Sequence, residues 1–237
     1  MSRGTTLAKL LNDLRAECRI SLNVAHNAQN EASQIIALQR KQEWFWHDFS
    51  WPHLRVERII SLQAGQRYYD MPSDIDIDRV EKVEIRNAGI YFPLQWGIRA
   101  EHYAVYDSER DVRGDPAQRV RISEGEMLEI WPIPKTNADA TTLEGNVKIT
   151  GIRKLNPLVE ESDTADIDDR LLVMHCAAEY LAATGAKDAQ VKLDQASNLY
   201  LKLRGALMPR KTYRLFKDND KGSMRTNRLP IAIYKAP

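Results

Sequence analysis

The residue types that carry chemistry are present in this chain, and their spacing is what decides between readings. Asp74, Asp76 and Asp78 in the string SDIDIDR open like a calcium-binding loop. Such a loop needs glycine at its sixth position and a bidentate glutamate at its twelfth. Arg79 and Ile85 stand there instead, and the alternation with Ile75 and Ile77 fits a strand with one acidic face. Glu160, Glu161, Asp163, Asp166, Asp168 and Asp169 form a second acidic set. Paired carboxylates of this kind serve glycoside hydrolysis when one of them has a raised pKa in a cleft. A solvated linker plus negative charge at a helix start is the plainer account. The five histidines, His26, His47, His53, His102 and His175, show no HExxH spacing, and no GxGxxG, Walker A or GxSxG string is present. His175 reads as a hydrogen-bonded core residue. Cys18 and Cys176 fall among apolar neighbours in helical stretches and read as small core residues rather than a disulfide or metal pair.

The elements that must position these groups are organised around residues 163–204, which read as two helices joined at Gly185. Asp166 is the expected N-cap, with Asp168 and Asp169 in the first turn. From Leu171 to Ala183 only His175 and Glu179 interrupt an apolar run, so that helix is expected to be buried all round. The second helix carries a single stripe, Ala189, Leu193, Ala196, Tyr200 and Leu203, and packs along one seam with a wet outer face.

Upstream, Thr5 or Thr6 caps a helix whose apolar residues are Leu7, Leu10, Leu11, Leu14 and Cys18. A second helix follows a loop, with Ala28, Ala32, Ile35 and Ile36 on one side. It runs into Trp44, Phe45, Trp46, Phe49 and Trp51, a cluster that reads as a hydrophobic joint to the next domain rather than a stacking platform, and Pro52 ends it. Strand periodicity then takes over, with hairpin turns at residues 87–89 and around Gly125 and a single helical turn or two near residues 100–106. Seven or so short strands predict an antiparallel sandwich or barrel. The fold class is therefore α+β: a bundle of N- and C-terminal helices with an inserted antiparallel β-domain and an extended C-terminal tail. The boundaries are residues 1–52 for the first helical arm, 53–157 for the β-domain, 158–205 for the helical hairpin and 206–237 for the tail.

Composition is that of a folded domain, 43% hydrophobic and 28% charged, with no run long enough to span a membrane and no apolar segment at the start that would read as a secretory signal. A reducing cytoplasm is the expected folding compartment. The net charge of +1 conceals an asymmetry. Residues 206–237 hold eight Lys or Arg against Asp218 and Asp220, a surplus of six, which leaves −5 for residues 1–205. The tail has few apolar residues before the string LPIAIY at 229–234, so it cannot bury itself, and its thirty-two residues extend to on the order of 100 Å.

The strings WPHLRVER, AGQRYYDMPSDIDIDRVEKV, EIWPIP and GIRKLNPLVEESDTADIDDRLLV, with TGAKDAQVKL in the hairpin, resemble the head-to-tail adaptor proteins of tailed bacteriophages, in the tail tubular protein A sense of short-tailed phages. The likeness covers roughly residues 5–205 and lies in order and spacing. It implies a structural protein of the virion head–tail junction, assembled in the host cytoplasm, with no catalytic residue, cofactor or metal and no membrane contact. Such adaptors form a ring, usually of twelve copies, between the portal protein and a tail nozzle. DNA passes through their channel without specific binding, during packaging retention and genome ejection. Their C-terminal segments dock on the portal, so Tyr213, Arg214, Phe216, Ile231, Ile233 and Tyr234 are the expected portal contacts. An acidic body suits a channel wall that does not hold phosphates. Two rival readings remain: a tail-associated peptidoglycan hydrolase using the acidic set, and a DNA-binding module using the basic tail.

Overall fold

The computed structural model describes residues 3–23, 26, 29–105 and 112–208. Residues up to Leu207 form one compact unit. Among the described residues there are five α-helices and eight strands, an α+β architecture.

Helix α1, Leu7–Glu17, buries Leu7, Leu10, Leu11 and Leu14, spaced three, one and three apart as one helical face requires. Thr6 is its N-cap but makes no side-chain capping bond. The first amides find partners far along the chain instead: Leu7 N–H donates to Asp163 O at 2.8 Å and Ala8 N–H to Glu161 O at 3.2 Å. Thr6 and Thr164 form a β-bridge, and Thr5 Oγ1 donates to Asp169 Oδ2 at 2.6 Å.

Helix α2, Glu31–Asp48, buries only part of the face expected from its alanines and isoleucines: Ile35 packs against the core, and Ala32 is exposed. Its buried residues are Gln34, Leu38, Gln42, Phe45 and Trp46, while Ile36 is 45% exposed; Ala28 lies outside the described residues. Each of the two buried glutamines has a partner, although Nε2 of Gln34 is left without one. Gln34 Oε1 accepts from Nε of the buried Arg15 at 3.1 Å, and Gln42 Nε2 donates to Asn156 O at 3.0 Å. Hydropathy is blind to such pairings.

The last two helices are α4, Asp169–Ala183, and α5, Ala189–Leu207. The N-cap of α4 is Asp168, whose carboxylate accepts from Leu171 N–H at 3.1 Å, and not Asp166. Leu171 through Ala178 are buried, but the final turn is not: it ends in small Ala182 and Ala183, which have little surface to hide, beside Gly185 at φ +70°. Of the α5 stripe, Ala196, Tyr200 and Leu203 are buried, and Leu193 is not. Residues of α1, α2, α4 and α5 share one apolar core, which Trp51, Leu54, Leu158, Ile167 and the β-residue Ile152 complete.

The strands are β1 Arg55–Ser61, β2 Tyr68–Asp70, β3 Ile75–Asn87, β4 Ile90–Pro93, β5 Gln95–Trp96, β6 Arg119–Ile122, β7 Met127–Trp131 and β8 Asn146–Arg153, with the short helix α3, Ala100–Val105, after β5. They form two four-stranded sheets, ordered β1-β8-β3-β4 and β2-β7-β6-β5. All pairings are antiparallel except β5 with β6, which is parallel and two residues long. The exception arises where the chain changes sheets: Leu94 N–H donates to Val83 O in the first sheet, and Gln95 N–H to Gln118 O beside the second. The β3–β4 hairpin turns at Ala88 and Gly89, φ 51° and 77°, the left-handed pair that a two-residue hairpin loop needs. Val83, Ile85, Val147 and Ile149 from one sheet and Tyr69, Val120, Leu128 and Ile130 from the other make a second apolar core.

Candidate assembly interface

The tail residues expected to touch a partner, Tyr213, Arg214, Phe216, Ile231, Ile233 and Tyr234, lie outside the described residues. What the described residues show is how the base of the tail is held, how the two cores are joined, and which faces remain open.

The last helix is fastened near its C-terminal end. Tyr200 OH donates to the Asp48 carboxylate at the end of α2, and Arg204 lies 3.5 Å from the same carboxylate and 5.6 Å over the Phe49 ring. Burial and the Asp48 charge push the Tyr200 phenol up to about 12, so it remains a donor at any working pH. Tyr200 also packs on Phe45 at 5.2 Å and Trp51 at 6.4 Å between ring centroids. The aromatic cluster read from the sequence as a joint is one.

That joint continues into the sheets. Trp46 Nε1–H donates to Arg153 O at the end of β8 at 3.1 Å, and Arg79 of β3 donates to Trp46 O while its guanidinium stacks 4.4 Å over the Trp46 ring. Asp166, freed from capping, accepts from Arg153 at 2.5 Å and from Asn156 N–H at 2.7 Å. Its own N–H donates to Gln42 Oε1 at 3.2 Å. Nothing in the residues around Asp166 signals this role, because its partners lie 10, 13 and 124 residues away.

A second hub lies on the outer face of the second sheet. Glu129 is wholly buried and accepts from Arg67 Nε at 2.6 Å, Tyr103 OH at 2.6 Å and Arg121 Nε. Burial alone would raise its carboxyl, but the bonds from Tyr103, Arg121 and Arg67 outweigh that and hold it below the usual range. Tyr103 belongs to α3, and Trp131 Nε1–H donates to His102 O in the same helix at 3.1 Å. These contacts seat α3 on the sheet.

Several of the groups singled out as candidate chemistry are engaged structurally, while Glu160 and Glu161 are exposed. Asp74 pairs with Arg58 at 2.5 Å, and Asp76 accepts from Asp78 N–H at 2.9 Å. Asp163 accepts from the Val159 and Glu160 amides at 2.7 Å each. No three His, Cys, Asp or Glu side chains of the described residues are grouped as metal ligands. Both cysteines are free thiols in the core. His175 is in the core as expected, but it is held by packing, 4.9 Å from the Phe45 ring, and its Nε2 has no hydrogen-bond partner. No helix among the described residues is long and apolar enough to cross a membrane.

Two faces stay open. A groove of about 590 Å³ runs beside α1 and α4, where Asp13, Glu17, Asp168 and Asp169 outnumber Lys9 and Arg170. On the sheets, Ile90, Phe92 and Trp96 are 61%, 46% and 47% exposed. Polar side chains thus tie the elements of this unit together while large apolar ones face outward, and exposed apolar patches mark interaction surfaces. A family model described as SU10 adaptor protein matches residues 5–227, and the chain belongs to that family. The likeness to phage head-to-tail adaptors seen in the sequence strings is thereby confirmed as one of family, and the chain is a phage adaptor, a structural component of the virion. No curated protein matches it.

Proposed function

We propose that this chain joins the phage head to the tail as a ring, usually of twelve copies, with the portal protein on one side and the tail nozzle on the other and the genome passing through its channel unbound. The observation that carries this is the reach of the family match. It runs past the end of α5 and about twenty residues into the basic tail, to residue 227, which supports a role for that part of the tail shared with these adaptors. The helical core is the bundle of residues 1–52 and 158–205, the two sheets are a sandwich inserted at 53–157, and residues 206–237 are the portal arm. Tyr213, Arg214, Phe216, Ile231, Ile233 and Tyr234 make its contacts. An arm that cannot bury itself gains order on a partner, and the fastening of α5 through Tyr200 and Arg204 gives it a fixed base. The protein acts in the virion after assembly in the host cytoplasm, through surfaces and without catalysis, and it closes into a stable ring only on the portal, being monomeric in dilute free solution.

The reading is tested by mixing the purified chain with portal rings and following the complex by sizing chromatography and electron microscopy. A ring of density on the portal is expected. Absence of any association overturns the reading.

A further inference from the structure

Residues 87–98 are twelve consecutive positions without a charged side chain, in a chain of which 28% is charged. They contain β4 and β5, the edge strands of the two sheets, and the exposed Ile90, Phe92 and Trp96. An edge strand offers unpaired backbone groups, and proteins that must not associate guard such edges with charge. The opposite edge of the first sheet is guarded in this way: β1 carries Arg55, Glu57 and Arg58, and Arg58, directly across from core residue Ile149, is paired with Asp74. The β4 edge has no such guard. Phe92 and Leu94 stand on one wall of an open groove of about 590 Å³, with Pro116 and Ala117 on the other, and Arg119 is the one charged residue among those lining it.

We infer that the strip at residues 90–96 is the face on which a second copy of this chain packs. The argument is one of charge. With −5 on residues 1–205, the bodies of two copies meeting over an average face bring like charges together, which weakens association. An uncharged apolar strip is where they approach without that cost and remove apolar surface from water. A basic partner would be drawn to the acidic groove beside α1 instead. This inference rests on the ring reading in that a ring is what holds copies side by side.

Sedimentation of the full chain without portal, at concentrations up to about 1 mM, reaches contacts of millimolar Kd. The wild type is expected to gain mass with concentration. Ile90→Lys, Phe92→Lys and Trp96→Lys are each expected to weaken association at least tenfold, while Phe92→Leu and the distant Val191→Lys leave it in place. Three separate strip positions keep the test alive if one variant fails to fold, which melting curves report. A wild type that stays monomeric to that concentration, or folded strip variants that associate as it does, overturns the inference. Because no portal is present, loss of portal binding would sink the ring reading without touching this result. Complete rings of Ile90→Lys on the portal would sink the strip alone.

Discussion

The N–H of Leu7 donates to the carbonyl oxygen of Asp163 at 2.8 Å, across 156 residues of chain. Both sheets lie between these two residues, so the start of the first helix is capped only once the chain has left the sheets. Thr5 with Asp169 and the Thr6–Thr164 bridge repeat the closure within a few residues. The last helices thus start from a segment that is already tied to the first, which makes the helical core a long-range structure built from both ends of the compact unit.

Trp51 should be the most costly single residue at the joint. It is completely buried, and its Nε1–H donates to Phe45 O at 2.8 Å. Trp51→Ala is expected to lose about 3–5 kcal/mol, read as a fall in the urea midpoint with little change in slope. A cost under about 1 kcal/mol would show that the joint does not depend on it.

Glu129→Gln leaves Arg67 and Arg121 facing a neutral group, and because these side chains are 20% and 42% exposed a loss of about 1–3 kcal/mol is expected. The sign with pH follows from the depressed carboxyl. Its contribution is full above the unfolded value near 4.5 and is lost as pH falls through the lower folded value. The acid limb of the wild-type stability curve should therefore be steeper than that of Glu129→Gln, although Glu84, also depressed, adds to both.

His175 titrates in the opposite sense and in another window. Burial and nearby Lys41 hold its imidazole below 6.5, against the pull of Glu179. The unfolded chain takes up the proton first, so stability should fall as pH drops below about 6.5 towards the folded value. His53 is lowered too, mainly by burial, so His175→Phe should reduce this slope between pH 7 and 5 without abolishing it. An unchanged slope would contradict the burial of a neutral imidazole.

Cys18 and Cys176 are pushed up to about 11 and about 12 by burial, and thiolate is the reactive form. Ellman's reagent should find two thiols in denaturant and react far more slowly in buffer. Rapid native reaction would mean that the helical core opens readily.

Much of the fold was legible in the sequence because its cause is local. The α1 face, the residues 87–89 turn and the order of helices, strands and helices all follow from periodicity and turn chemistry. What was not legible depends on distant partners. Asp166 sits where a cap would be expected, yet its carboxylate goes to Arg153 and Asn156, and Asp168 caps the helix. Gln34 and Gln42 look like a solvent face until Arg15 and Asn156 are placed against them. The parallel β5–β6 pairing depends on the chain changing sheets between Leu94 and Gln95. The exposed strip at residues 90–96 had a visible signal, the run without charge, whereas the Glu129 hub had none, because Arg67, Tyr103 and Arg121 meet only in the fold.

The claim that the basic tail docks the adaptor on the head is tested most directly by comparing full-length chain with a 1–205 truncation for binding to portal rings, by electron microscopy of the mixtures at equal concentration. The expected result is decorated portals with the full-length chain and bare portals with the truncation, with the truncation retaining its melting temperature to within a few degrees. Equal decoration by both would contradict the account.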